Sequence, residues 1–87
     1  MTRLSGEFYD GKTSAHWRAE LTVSASGLLQ LCWADEREEY PLDSVTVSSR
    51  LGSTPRYFRF ADGSKFETLN NDAVDALLLE YSKDDLH

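Results

Sequence analysis

The chain has 87 residues, of which 40% are hydrophobic and 28% charged, and its net charge is −6. That length predicts one domain spanning residues 1–87, which buries roughly 60–65% of the surface its unfolded form exposes. The composition argues against disorder, and the acidic balance argues against nucleic acid or a strongly anionic membrane, because affinity for phosphates comes from a basic surface excess.

Cys32 is the sole cysteine, so no intramolecular disulfide forms, and residues 1–7 carry no apolar stretch of signal-peptide length. Both features predict a reducing compartment, most simply the cytoplasm. The longest apolar run, Ala76-Leu77-Leu78-Leu79, is far shorter than the ~20 residues that cross a bilayer.

In chain order, a short strand is expected over Glu7 to Tyr9. From His16 to Ser24 the apolar residues Trp17, Ala19, Leu21 and Val23 alternate strictly, the period of a half-buried strand. Leu29, Leu31 and Trp33 continue that period after Ala25-Ser26-Gly27. A three-residue loop with Gly27 left-handed opposes Val23 to Leu29, Leu21 to Leu31 and Ala19 to Trp33, whereas a two-residue loop sets Val23 against Gln30. Register therefore selects a type I turn with a bulge. Shorter strands fit Glu38 to Leu42 and Ser44 to Ser49, the latter with Val45 and Val47 inward. Pro41 lacks an N–H, which assigns its strand to an edge or an irregular position.

After the Gly52-Ser53-Thr54-Pro55 turn comes an aromatic hairpin. With Ala61-Asp62-Gly63 as its loop, Phe58 faces Phe66 and Phe60 faces Ser64, so the three aromatics share one face. A two-residue Asp62-Gly63 turn would oppose Phe58 to Glu67 instead. One helix follows. Asn71 or Asn70 caps it, Asp72 and Asp75 suit the positive end of its dipole, and Val74, Leu77, Leu78 and Tyr81 recur at helical spacing. Residues 82–87 are polar and expected to fray. The sum is a mainly β (α+β) fold, about seven antiparallel strands in a bent, partly closed barrel capped by one C-terminal helix. The order of elements looks like the pleckstrin-homology superfold, which includes GRAM-type domains.

Chemistry-bearing groups are sparse. His16, His87 and Cys32 are neither paired nor spaced for zinc, and a Ser/Thr nucleophile would need His16 or the terminal His87 as its base. Neither a metal nor a cofactor is expected. Cys32 falls on the face opposite Leu31 and Trp33 and reads as a packed thiol, while the two tryptophans read as core anchors. Asp35, Glu36, Glu38, Glu39 and Asp43 surround only Arg37, without the glycine turn of a calcium loop, and read as a solvated hairpin. Arg50, Arg56, Arg59 and Lys65 form the candidate binding surface, for phosphoinositides or other lipid headgroups. Pairing with neighbours such as Glu67 or with the acidic hairpin is the alternative use of the same charges.

Leu51-Gly52-Ser53-Thr54-Pro55-Arg56, Phe60-Ala61-Asp62-Gly63, Phe66-Glu67 and Asn70 to Leu78 resemble a known module, and Phe8-Tyr9-Asp10-Gly11-Lys12 is similar to its opening. It is the N-terminal accessory domain of some bacterial membrane zinc metalloproteases related to HtpX and the CAAX-prenyl proteases. The resemblance implies a non-catalytic interaction domain at the cytoplasmic face of the inner membrane. Its partner would be another protein or the membrane protease domain of a longer parent. No catalytic residue carries over, because the family's zinc-binding helix has no counterpart among these residues. Lipid contact would be weak or indirect, and a homodimer through the Ser44 to Ser49 edge is a further expectation. Gly52, Gly63, Pro55 and the helix cap have structural explanations in sequence; Arg56 has none.

Overall fold

The computed structural model describes residues 3–24 and 26–81. Seven strands run in the order β1 (Arg3–Tyr9), β2 (His16–Val23), β3 (Leu28–Trp33), β4 (Glu36–Pro41), β5 (Thr46–Val47), β6 (Arg56–Arg59) and β7 (Lys65–Thr68). Helix α1 (Asn71–Glu80) closes the sequence of elements. All pairings are antiparallel, and the strands form one sheet in the spatial order β4-β3-β2-β1-β7-β6-β5. Curling that sheet around the side chains of its inner face gives a half-barrel, with α1 laid over the apolar interior.

Alternation explains which side chains line the interior. Leu4, Phe8, Leu21, Leu29, Leu31, Phe58 and Phe66 are buried from five strands, and Val74, Leu77 and Leu78 meet them from the helix. Trp17 and Trp33 are half-buried against this core, with the Trp33 ring 4.3 Å from that of Phe8. Cys32 faces the outer side, opposite Glu20 and Arg37.

Both hairpin registers match their expectations. Val23 pairs with Leu29, Leu21 with Leu31 and Ala19 with Trp33. The Gly27 N–H donates to the Ser24 carbonyl at 3.0 Å and Gly27 has φ 83°, the bulged turn geometry; Ala25 within this loop lies outside the described residues. In the second hairpin Phe58 pairs with Phe66, Phe60 N–H donates to Ser64 O at 2.9 Å, and Gly63 has φ 91°. Inward matching of apolar residues decided the loop length in both cases.

Three elements differ from the sequence-based boundaries. Strand β1 begins at Arg3 rather than Glu7 because Leu4 and Phe8 both point inward across Gly6, which interrupts the apolar pattern. A Cβ on Gly6 would lie 2.0 Å from the Glu67 carbonyl oxygen, so the approach of β7 to β1 needs glycine there. Strand β4 begins at Glu36, after a two-residue turn in which Ala34 has φ 49° and no glycine marks the bend. The expected strand over Ser44 to Ser49 shrinks to Thr46–Val47, because Leu42–Ser44 forms a 3-10 turn whose Ser44 hydroxyl donates to Pro41 O.

At the helix start the cap is Asn70, whose Oδ1 accepts the Ala73 N–H at 3.1 Å. Asn71 serves differently, donating from Nδ2 to Thr54 O at 3.1 Å and so holding the 50–55 turn on the helix. At the other end the Tyr81 hydroxyl donates to Ser24 O at 3.1 Å, tying the helix to the β2–β3 hairpin. The frayed tail expected over 82–87 lies outside the described residues.

Candidate functional site

The four cations proposed from sequence as one surface occupy two separate places. Arg56 is the first residue of β6 and points inward with Phe58, leaving only 3% of it exposed. Its Nε donates to Ser48 O at 2.8 Å and its Nη1 to Asp75 Oδ1 at 2.8 Å. Arg50 reaches the other oxygen of the same carboxylate, Nη1 to Asp75 Oδ2 at 2.6 Å, and lies 3.1 Å from Asp72. Asp75 is thus clamped between two guanidiniums. Hydrogen bonds from Arg56 and then Arg50 hold its carboxyl below the usual value. The partners are helix carboxylates, not Glu67 or the acidic hairpin as the alternative reading anticipated.

This clamp explains Arg56. Helix α1 must be fixed to β6 and to the segment after β5, and a planar guanidinium bridges a carbonyl and a carboxylate at once. Burying it is tolerable because both directions end in an acceptor.

Arg59 and Lys65 face the outer side of the sheet, directly paired across β6 and β7. The Lys65 ammonium lies 4.6 Å from the centre of the Tyr57 ring and 5.2 Å from that of Tyr9, a cation held between two aromatic faces. Tyr9 in turn stacks on His16 at 5.3 Å, and His16 Nδ1 is 2.7 Å from Glu7 Oε1. Glu7 and Glu67 are opposed across β1 and β7, and a hydrogen bond to Glu67 raises the Tyr57 phenol. The outer face is therefore a charge-mixed platform, and only Arg59 and Lys65 of the proposed four contribute to it. The tyrosines were missed in sequence because odd residues of β1 and β6 share a face only once β7 lies between them.

Among the described residues, no three His, Cys, Asp or Glu side chains group closely enough to hold a metal ion, and no helix is long and apolar enough to cross a membrane.

At the opposite margin, β4 pairs with β3 on one side and, among the described residues, with no strand on the other. Register places Glu36 opposite Trp33, Glu38 opposite Leu31 and Tyr40 opposite Leu29, so these three share the inner face. Arg37 and Glu39 point outward, where Gln30 Nε2 donates to Glu39 Oε2 at 3.2 Å. The Tyr40 ring stacks on Phe60 at 4.1 Å, closing the half-barrel mouth at that end and leaving 36–39 open. Pro41 at this margin agrees with its missing N–H.

Residues 3–80 match the model of a family described as a domain of unknown function, DUF7092. The chain belongs to the DUF7092 family. No curated protein and no solved structure matches it. The match runs from the first strand to the last turn of α1, so the DUF7092 unit and the half-barrel with its helix are the same object.

Proposed function

We propose that this DUF7092 domain is a non-catalytic, PH-like or GRAM-like interaction module that serves as the cytoplasmic N-terminal accessory domain of a bacterial membrane zinc metalloprotease. The observation that carries the interaction reading is the division of labour between the two margins of the sheet. At one, the two-residue β5, Arg56 joins the adjoining Ser48 carbonyl to Asp75 of α1; at the other, β4 offers a six-residue, largely exposed strand that no described strand pairs on its outer side. The protease context rests on the resemblance at Gly52 to Arg56 and Asn70 to Leu78. In this fold those residues join the 50–55 turn, β6 and α1 into one unit.

Headgroup binding through the four cations has less support, since Arg50 and Arg56 are engaged with helix carboxylates. Sedimentation with anionic vesicles at low salt, where electrostatic attachment is strongest, is the control and is expected to leave the domain in the supernatant.

The test of the module itself is photo-crosslinking from β4 positions within the natural gene product. Crosslinks to a membrane-embedded zinc protease segment are the expected result. A gene product without such a segment, or a folded domain that crosslinks to no part of it, overturns the reading.

A further inference from the structure

We infer that the open margin of β4 binds an extended peptide segment by strand addition, and that the segment carries Lys or Arg at alternate positions. This rests on the interaction reading above and gives its partner a chemistry.

Backbone geometry comes first. Trp33 and Glu36 close a two-residue turn, so they exchange both ladder bonds, and bonded pairs then recur every second residue. Gly27 and Leu42 fall in the same series, and the Leu42 N–H donates to Gly27 O at 3.1 Å. The backbone groups of Glu36, Glu38 and Tyr40 are therefore spent on β3. Those of Arg37 and Glu39 point away from it, and so does the nitrogen of Pro41. A chain laid along the margin finds an N–H and a C=O at Arg37 and again at Glu39, the repeat an incoming strand needs.

Side chains then choose the occupant. On the inner face an added strand would meet Glu36 and Glu38, both exposed, beside the half-buried Trp33. Basic side chains two residues apart satisfy both carboxylates. On the outer face it meets Arg37 and Glu39, which impose no net sign. A second copy of this chain is disfavoured. Antiparallel self-pairing centred on Glu38 sets that carboxylate against itself, and centring on Arg37 sets Glu36 against Glu38. The Tyr40–Phe60 stack ends the free margin, so the bound stretch is short.

The experiment titrates the 87-residue chain with a peptide Thr-Lys-Val-Lys-Thr-Lys-Val and with its Glu-for-Lys counterpart, followed by amide shifts and hydrogen exchange. The lysine peptide is expected to shift and protect the Arg37 and Glu39 amides. Glu39→Pro removes one outward N–H without touching the β3 ladder, and it should weaken binding about tenfold or more, the scale of a lost backbone bond. Should that variant not fold, the exposed pair Glu36→Gln/Glu38→Gln reads the charge term alone, with binding about three- to fivefold weaker and a flatter salt dependence. Equal binding of both peptides, no binding at low salt, or shifts confined to other strands overturns the proposal. Because the titration needs no protease, crosslinking in the parent with no peptide binding rejects strand addition alone. Peptide binding without crosslinks rejects the protease context alone.

Discussion

Where β7 and α1 come against β1 and β6, buried side-chain polar groups find partners inside the molecule, Asn71 Oδ1 excepted. Thr68 Oγ1 donates to Ser5 O at 2.8 Å, Gly6 admits the Glu67 carbonyl, and Arg56 joins Ser48 to Asp75. Along β4 the reverse holds: five of the six residues are exposed and one backbone side is unpaired. Both regions are strongly charged in sequence. The difference lies in whether a charge finds its partner within the chain, which makes the seam a source of stability and leaves the β4 margin free for something else.

The sharpest way to break this contrast is Gly6→Val. With a Cβ 2.0 Å from a backbone oxygen, β1 and β7 must separate. The expected loss is at least about 3 kcal/mol in urea unfolding, or failure to fold. A mild effect would mean that the seam is loose.

Arg56→Ala comes next. It strands the Ser48 carbonyl and frees one side of Asp75, and because Asp75 is 45% exposed the loss is screened to about 2 kcal/mol. The same joint predicts a pH response. The Asp75 carboxyl is lowered from 3.8 by its arginines, so its contribution is complete above the unfolded value and is lost as pH falls through the folded one. Thermal midpoints should drop below about pH 4, and Asp75→Asn should flatten that slope. Asp10, held down by the Thr13 N–H, and Asp62, held down by the Ser64 hydroxyl, leave a residual slope.

Asn70→Ala removes the cap at the Ala73 N–H and should cost about 1 kcal/mol in the same unfolding measurement. Asn71→Ala tests a different contact, the bond to Thr54 O, and distinguishes the two asparagines. The smallest effect is expected on the open side. Ala34→Gly relieves a left-handed backbone at the β3–β4 turn and should stabilise by about 0.5 kcal/mol, after the entropic cost of glycine. A loss there would show that the margin is held more firmly than its exposure suggests.

The candidate site was less legible than the fold. Alternation along β6 puts Arg56 on the Phe58 face and Arg59 on the other, which the residues alone imply, but only the packing of α1 supplies Asp75. The β4 margin was partly readable, since Pro41 marked an edge, but the turn at Ala34 carries no glycine to date the strand's start.

What the residues determined alone is local. Period-two alternation set the faces of β2, β3, β6 and β7, and matching apolar positions across Gly27 and Gly63 set both hairpin registers, because a slip of one residue would expose the entire inner set. The tertiary structure decided the long-range closures: β7 beside β1, the helix on β6, and which margin stays open. Those depend on how the sheet curls around its core, and residues such as Gly6 and Arg56 acquire their roles only when distant backbone and a helix carboxylate arrive beside them.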